Sequence, residues 1–106
     1  MLNDFAKQVH ENSKTHGWWE DERSFGEIIA LCHSELSEAL EEYRKGIAQL
    51  YFEKDHKPCG IAVELADCII RILDYCGKEN IDIDEILRIK HEYNKTRPYR
   101  HGNKVI

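Results

Sequence analysis

The sequence predicts an all-α fold, a four-helix bundle, and two observations support this prediction. Apolar residues recur every three or four positions in four separate segments, the spacing that places them on one face of a helix. Two prolines and six glycines are spread over 106 residues, and 33% of the residues are charged, a composition typical of a helical protein. A chain of this length is most simply one domain, 1–106, whose small core favours pairing of subunits.

The first two helices have recognisable boundaries. Apolar spacing predicts a first helix from the start of the chain to about Lys14. Ser24 and Glu27 have the spacing of a capping box, in which the two side chains satisfy free N–H groups at a helix start. A second helix is therefore expected to run from there to Arg44 or Lys45. The connector that follows, IAQLYFEKDHKPCG, is expected to be irregular and partly helical.

The third helix is the most apolar segment of the chain. It reads GIAVELADCIIRILDYC, from Gly60 to Cys76, and Gly77 is expected to stop it. The fourth helix is predicted to begin at a cap, Asp82 or Asp84, and to end before Pro98. Because the third helix is apolar on two sides, we expect it to be buried on two sides, by a second layer or by a partner subunit.

Charge and hydropathy exclude several classes of function. The net charge is −5, yet the segment from Arg88 to Ile106, which contains the basic tail at about 95–106, holds six Lys or Arg against one Glu. An acidic body with a basic tail is not the profile of a nucleic-acid binder. The first residues carry acids and amides where a signal peptide would need an apolar run, and no apolar run reaches membrane-spanning length. We therefore expect a cytoplasmic protein without a membrane partner.

The four cysteines show no C-x-x-C pair. Unpaired cysteines are among the most often buried residues. They are therefore expected to be free thiols in the core.

Two pairs of carboxylates lie along these apolar faces. Glu35 and Glu38 follow one edge of the apolar stripe of the second helix, and Glu64 and Asp67 lie in a polar wedge of the third. An i, i+3 spacing points both members of a pair to one side, about one turn apart. If the two edges face each other, four carboxylates converge.

A converging set of carboxylates needs a counter-charge, because burying unpaired charge is unfavourable. Clusters that offer only oxygen ligands prefer hard cations such as Mg²⁺ or Mn²⁺. A metal site is one interpretation. A structural ion network is the other: Arg71 can neutralise one acid, though not two, and an E-x-x-E pair alone is usually a solvated face.

Three segments together resemble a known family: ELSEALEEYRKG, KPCGIAVELADCIIRILD and KHEYNKTRPYRHGNK. Their order is similar to that of the MazG-like branch of the all-α nucleoside triphosphate pyrophosphatases, over nearly the whole chain. The resemblance implies a four-helix core assembled as a homodimer or homotetramer. It also implies Mg²⁺, with Mn²⁺ as a substitute, and cleavage of an NTP or dNTP to the monophosphate and pyrophosphate in nucleotide-pool house-cleaning.

The resemblance assigns roles to individual residues. The metal ligands are Glu35, Glu38, Glu64 and Asp67. The substrate phosphates contact Lys90, Asn94, Arg97, Arg71, Lys95 and Arg100. A base stacks on Trp18 or Trp19, although ordinary packing is the alternative for at least one of them. Glu38 is the first candidate for the catalytic base, and Glu42 is the second.

Departures from the family pattern keep other functions open. Ser34 stands where the family has its first acidic residue, and Cys59 where an acid is frequent. The same fold serves phosphoribosyl-ATP pyrophosphatases and dUTP or dCTP pyrophosphatases. A catalytically silent helical dimer that binds nucleotide or protein is the alternative outside the enzymes.

Overall fold

The computed structural model describes residues 1–46 and 48–106, and it is mostly helical, so the all-α prediction is confirmed. The four predicted helices are present as α1 (Leu2–Thr15), α2 (Phe25–Arg44), α3 (Ile61–Lys78) and α4 (Ile83–Lys95). A short helical segment, α5 (Arg100–Asn103), lies in the tail. None of the helices in the described part of the chain has the length and apolar character that crossing a membrane requires.

Helix α2 begins as its sequence predicts. The Ser24 hydroxyl accepts the backbone N–H of Glu27 at 3.1 Å, which satisfies one of the free donors of the first turn. At the other end, Gly46 follows the last turn with a φ of +73°, the left-handed conformation that glycine adopts without steric cost. Local signals therefore fix both ends of this helix.

The connector between α2 and α3 is partly helical, as expected, and it also contains a short hairpin that was not predicted. Strands β1 (Tyr51–Phe52) and β2 (Pro58–Cys59) pair antiparallel, Tyr51 opposite Cys59. Between them lies one 3₁₀ turn, Lys54–His56, which is the only helical part of this segment that the structure describes. The hairpin was missed because two-residue strands leave no periodic pattern to read.

Gly77 does not stop α3, and this prediction was wrong. The helix continues to Lys78 and passes Gly77 where α1 crosses it. A Cβ atom at residue 77 would lie 2.5 Å from the carbonyl oxygen of Ala6 and 2.8 Å from Cβ of His10. Glycine is needed here for the close approach of two helices rather than for a turn.

Helix α3 is the centre of the fold, because both α1 and α2 pack along it. The innermost contacts join Ala6 of α1 to Leu73 and Cys76 of α3. All four cysteines are buried and unpaired, as their sequence context predicted. The core is thus made of small and medium side chains, which lets the helices approach closely.

The N-terminal ends of α1 and α4 cap each other. The Asp84 carboxylate accepts the backbone N–H groups of Leu2 at 2.9 Å and Asn3 at 3.1 Å. In return, the Asn3 side chain accepts the N–H of Asp84 at 3.2 Å and donates to Asp82 at 2.8 Å. A carboxylate at a helix N-terminus also complements the helix dipole, so this contact attaches α4 to the start of α1.

Much of the apolar surface is uncovered in one chain. Exposed apolar side chains on α2, α3 and α4 include Phe25, Leu36, Leu40, Leu65, Ile69, Ile72, Ile86, Leu87 and Ile89. The Cα radius of gyration is 16.5 Å, whereas a compact chain of this length has about 13 Å. The second covering layer that the sequence predicts for α3 is therefore not supplied by the described residues of the chain itself.

The close approach at Gly77 yields a stability prediction. Gly77→Ala is expected to destabilise the protein by about 1–3 kcal/mol, because its Cβ atom meets a backbone carbonyl that cannot move independently. Gly26→Ala is the matched control. Residue 26 also lies in a helix, but a Cβ atom added there would lie 3.8 Å from its nearest neighbour, Oγ of Ser24. The control is expected to be neutral or stabilising by up to about 1 kcal/mol. Urea unfolding of both variants measures the difference, and equal stabilities would contradict the role given to Gly77.

Candidate functional site

Three acidic side chains converge where α2 packs on α3. Glu35 of α2 and Glu64 and Asp67 of α3 each place one carboxylate oxygen within 4.8 Å of the other two. The fourth predicted acid, Glu38, is exposed and lies within hydrogen-bonding reach of Glu64. The two helix edges therefore face each other, and three of the four acids form one cluster, called the acidic cluster below.

Glu35 is the buried member of the acidic cluster. It is only 7% exposed, and its Oε1 accepts a hydrogen bond from Nε of Arg71 at 2.8 Å. Its other oxygen, Oε2, is buried and has no hydrogen-bond partner among the described residues. An unsatisfied buried acceptor costs about 1–3 kcal/mol, and more when it is charged. A cation seated among the three carboxylates would remove that cost, so the donor set fits a hard divalent ion.

Two members of the acidic cluster, Glu64 and Asp67, have raised pKa values and so bind protons more tightly than free carboxylates do. Burial, together with the neighbouring Glu38 and Asp67 carboxylates, raises the pKa of Glu64 to about 7. Burial and the Glu35 charge raise the pKa of Asp67, against a smaller lowering by Arg71. One guanidinium is therefore not enough counter-charge for the cluster.

A cavity of about 550 Å³ opens beside the acidic cluster. Charged side chains line it, among them Glu35, Asp67 and Arg71. Apolar and aromatic side chains also line it, among them Ile70 and Trp18. A volume of this size suits a small organic ligand, and the mixed lining suits one that carries both a charged part and an apolar or flat part.

The two tryptophans have different surroundings. Trp18 is 62% exposed and lines the cavity, with the guanidinium of Arg23 5.8 Å from its ring centre. Trp19 is half-buried, and its indole N–H donates to Asp74. Of the two stacking candidates, only Trp18 reaches the cavity, whereas Trp19 packs between α1 and α3.

The predicted phosphate contacts are divided between two places. Arg71 lines the cavity. No residue of α4 or of the tail lines it in the described chain. The predicted contacts that lie there are Lys90, Asn94, Lys95, Arg97 and Arg100.

Several of these side chains are occupied by neighbours of their own segment. Lys90 and Arg97 lie over the ring of Tyr93, at 5.0 and 5.7 Å, and Lys95 pairs with Glu92 at 2.9 Å. These three cations therefore contact residues of their own segment and do not line the cavity, and their contact with phosphate stays a prediction.

Glu42 is also separate from the acidic cluster. It is half-buried and accepts a hydrogen bond from the Tyr51 hydroxyl of β1 at 3.4 Å. This contact joins the hairpin to α2. Of the two candidates for the base, Glu38 is the one that lies beside the cluster.

Three residues near the cavity were missed by the sequence analysis: Arg23, Asp74 and His10. His10 follows Ala6 by four positions, so a full helical projection of α1 would have placed it against α3. Asp74 lies in the same polar wedge as Asp67 and Arg71. Arg23 lies in the α1–α2 connection, which has no periodicity, and nothing in its local sequence marks it.

Comparison with known proteins adds no relative. No protein-family model, curated protein or solved structure matches the chain. The likeness to MazG-like enzymes therefore depends on the residues quoted for it above, and their functional roles stay predictions.

The raised pKa of Glu64 predicts how metal binding depends on pH. The ordinary value is 4.5 and the folded value about 7, so the folded protein binds this proton more tightly than the unfolded chain. Stability without metal is therefore expected to rise as pH falls from about 7 towards 4.5. Because Mg²⁺ must displace the proton, the Mg²⁺-induced rise in Tm is expected to be larger at about pH 8 than at about pH 6.

Thermal unfolding with and without Mg²⁺ at several pH values checks this prediction. Glu64→Gln removes the group with the largest rise and is expected to reduce the pH dependence of the metal-free Tm between about pH 4.5 and 7, while Asp67 still contributes. A Mg²⁺ effect of the same size at every pH would contradict a proton-linked site.

Proposed function

We propose that this protein is a Mg²⁺-dependent nucleoside triphosphate pyrophosphohydrolase, which cleaves an NTP or dNTP to the monophosphate and pyrophosphate as a nucleotide-pool house-cleaning enzyme. The observation that carries the proposal is the acidic cluster, in which a buried oxygen of Glu35 has no partner and which adjoins a cavity. The resemblance to MazG-like enzymes supports it from the sequence.

Glu35, Glu64 and Asp67 are the residues that would hold Mg²⁺, with Glu38 as the adjacent fourth ligand. When bound, such an ion neutralises charge on phosphate oxygens and lowers the pKa of coordinated water. The same cluster accommodates Mn²⁺, which prefers similar oxygen ligands.

The remaining polar groups have distinct roles in the proposed reaction. Arg71 uses Nε to hold Glu35, and its two terminal nitrogens are then available to a phosphate oxygen in the cavity. Glu38, exposed beside the cluster, accepts the proton of the attacking water. The water oxygen bonds to the α-phosphorus, the bond from this phosphorus to the oxygen bridging it to the β-phosphorus breaks, and pyrophosphate leaves.

A homodimer or homotetramer is part of the proposal. The exposed apolar residues of α2 and α3, including Leu40 and Ile69, need a covering layer. A second copy placed there also offers a route for Lys90, Asn94 and Arg97 to reach the phosphates of a neighbouring site. This arrangement accounts for basic side chains that do not line the cavity of their own chain.

The proposed reaction predicts the effect of removing a single ligand. Glu64→Gln and Asp67→Asn are each expected to lower turnover by at least about 100-fold, more than the loss of a residue that only supports a metal ligand. Glu41→Gln is the control, since Glu41 is exposed and pairs with Arg44 at 3.5 Å on another face of α2. The assay separates monophosphate, pyrophosphate and phosphate products from a panel of NTPs and dNTPs with Mg²⁺ or EDTA.

The same panel, with phosphoribosyl-ATP added, separates the alternatives. Turnover of dUTP or dCTP alone, or of phosphoribosyl-ATP, would place the protein among the narrower pyrophosphatases. A protein with intact helices and Mg²⁺ present that hydrolyses none of these compounds is better described as a silent binding module. Parental turnover by Glu64→Gln or Asp67→Asn would exclude the acidic cluster as the active site.

The proposed assembly predicts the effect of a charge on the exposed apolar face. Leu40→Asp is expected to dissociate the oligomer, because a charge at the centre of an apolar interface is desolvated without a partner. Ala30→Asp is the control, because residue 30 is exposed on the polar face of α2. Light scattering after size-exclusion chromatography gives the mass of each variant. Equal masses for Leu40→Asp and the parent would place the interface elsewhere.

A further inference from the structure

One carboxylate connects α3 to the segment that carries the tryptophans. The indole Nε1 of Trp19 donates to both oxygens of Asp74, at 3.0 and 3.1 Å. Nδ1 of His10 contacts the same carboxylate at 2.8 Å, and the side chains of His10 and Asp74 are each only 14% exposed. Hydrogen bonds to an ionised, shielded group are among the stronger ones. Asp74 therefore joins α1, α3 and the α1–α2 connection at one point.

The ring of Trp19 has further partners that fix its orientation. The edge of His10 meets it with ring centres 5.5 Å apart and planes at 71°. The Lys78 ammonium lies 5.4 Å from its centre and the Arg23 guanidinium 5.9 Å. Because these contacts surround Trp19, it acts as an anchor for its segment, and it does not line the 550 Å³ cavity.

The anchored segment supplies one wall of that cavity. Trp18 precedes the anchor directly and Arg23 follows it in the same connection, and both line the cavity. The cavity is also lined by Asp67, Arg71 and Asp74 itself, which share the polar wedge of α3. The position of Trp18 and Arg23 relative to the acidic cluster is therefore set through Asp74.

We propose that Asp74 is a positioning residue for base recognition. Its hydrogen bonds to Trp19 hold Trp18 and Arg23 as an aromatic and cationic rim that stacks on the base of a nucleotide, whose phosphates lie beside Arg71 in the cavity. Indole and guanidinium planes both stack on bases. That the ligand is a nucleotide rests on the proposed function. The role of Asp74 in holding Trp19 does not depend on whether the protein cleaves nucleotides.

A double-mutant cycle tests whether Asp74 acts through Trp19. Trp19→Phe keeps an aromatic ring and removes the indole N–H, and Asp74→Asn removes the charge. The probe is whichever α,β-imido analogue of the four common nucleoside triphosphates the parent binds most tightly, measured by calorimetry with Mg²⁺. Each single variant is expected to raise Kd on the order of tenfold. The double variant is expected to bind the analogue no more weakly than either single variant, because the two single changes remove the same interaction.

Two comparisons separate base positioning from a general loss of structure. Inorganic tripolyphosphate, which has no base, is expected to bind Trp19→Phe as it binds the parent. Asp74→Asn is expected to bind it no more weakly than the parent, because this change removes a negative charge from the cavity lining. Asp21→Asn, a loss of the same charge at an exposed position in the same connection, is expected to change neither affinity. Reduced tripolyphosphate affinity in the Asp74 or Trp19 variants would overturn the assignment to the base.

Hydrogen exchange of the amides of residues 16–24 tests the anchor without any ligand. Exchange is expected to be faster in both single variants, and unchanged exchange would overturn the anchor. Faster exchange with unchanged analogue affinity would overturn the link to the base. If Asp74→Asn fails to fold, Trp19→Phe alone carries both measurements.

The proposed reaction and the rim can fail separately. A parent protein that binds the analogue but never cleaves a nucleotide refutes the reaction, and the affinity ratios of the variants still decide the role of Asp74. A parent that binds no analogue refutes the rim as a base site.

Discussion

The ion pair between Glu35 and Arg71 is the interaction on which the site depends. Glu35 lies in the packed face of α2, in line with Ile28, Cys32 and Ala39, all of them buried. A carboxylate can occupy this position only with a counter-charge, because an unpaired buried charge costs several kcal/mol. Arg71 supplies half of what is needed, since it contacts one oxygen and leaves the other without a partner. The packing of α2 on α3 therefore leaves one buried carboxylate oxygen unpaired, and the proposed cation would supply its partner.

Helix α3 organises the rest of the structure because each of its faces has a different task. Gly77 lets α1 approach closely, and the Ala6–Leu73 contact forms the core. The polar wedge carries Asp67, which joins the acidic cluster, and Asp74, which holds Trp19. Acidic chemistry and cavity shape are thus properties of one rigid element, which is how a small chain can hold a site precisely.

The features that depend on residues close in sequence, such as helix ends and helix faces, could be predicted. Ser24 and Glu27 cap α2 as expected, and the helical projection placed Glu35 at the border of the apolar stripe. The role of Gly77 could not be read, because a glycine near a helix end looks the same whether it ends the helix or admits a neighbour. The contact of Asp74 with Trp19 spans 55 positions. Only the packing of α1 against α3 brings these residues together.

The position of the basic segment relative to the acidic cluster also depends on contacts that are distant in sequence, so it could not be predicted. The sequence suggests that the basic tail lies opposite the acidic body, but it does not specify whether the two meet within one copy of the chain or between two copies. In the structure, α4 is attached to α1 through the mutual caps of Asn3 and Asp84, while the acidic cluster is formed by α2 and α3. Charge complementarity between these two regions acts within one chain only if α4 moves, and otherwise acts between copies. Because apolar surface is exposed on α2, α3 and α4 alike, the proposed association of copies would cover this surface and bring the opposite charges together without breaking the caps.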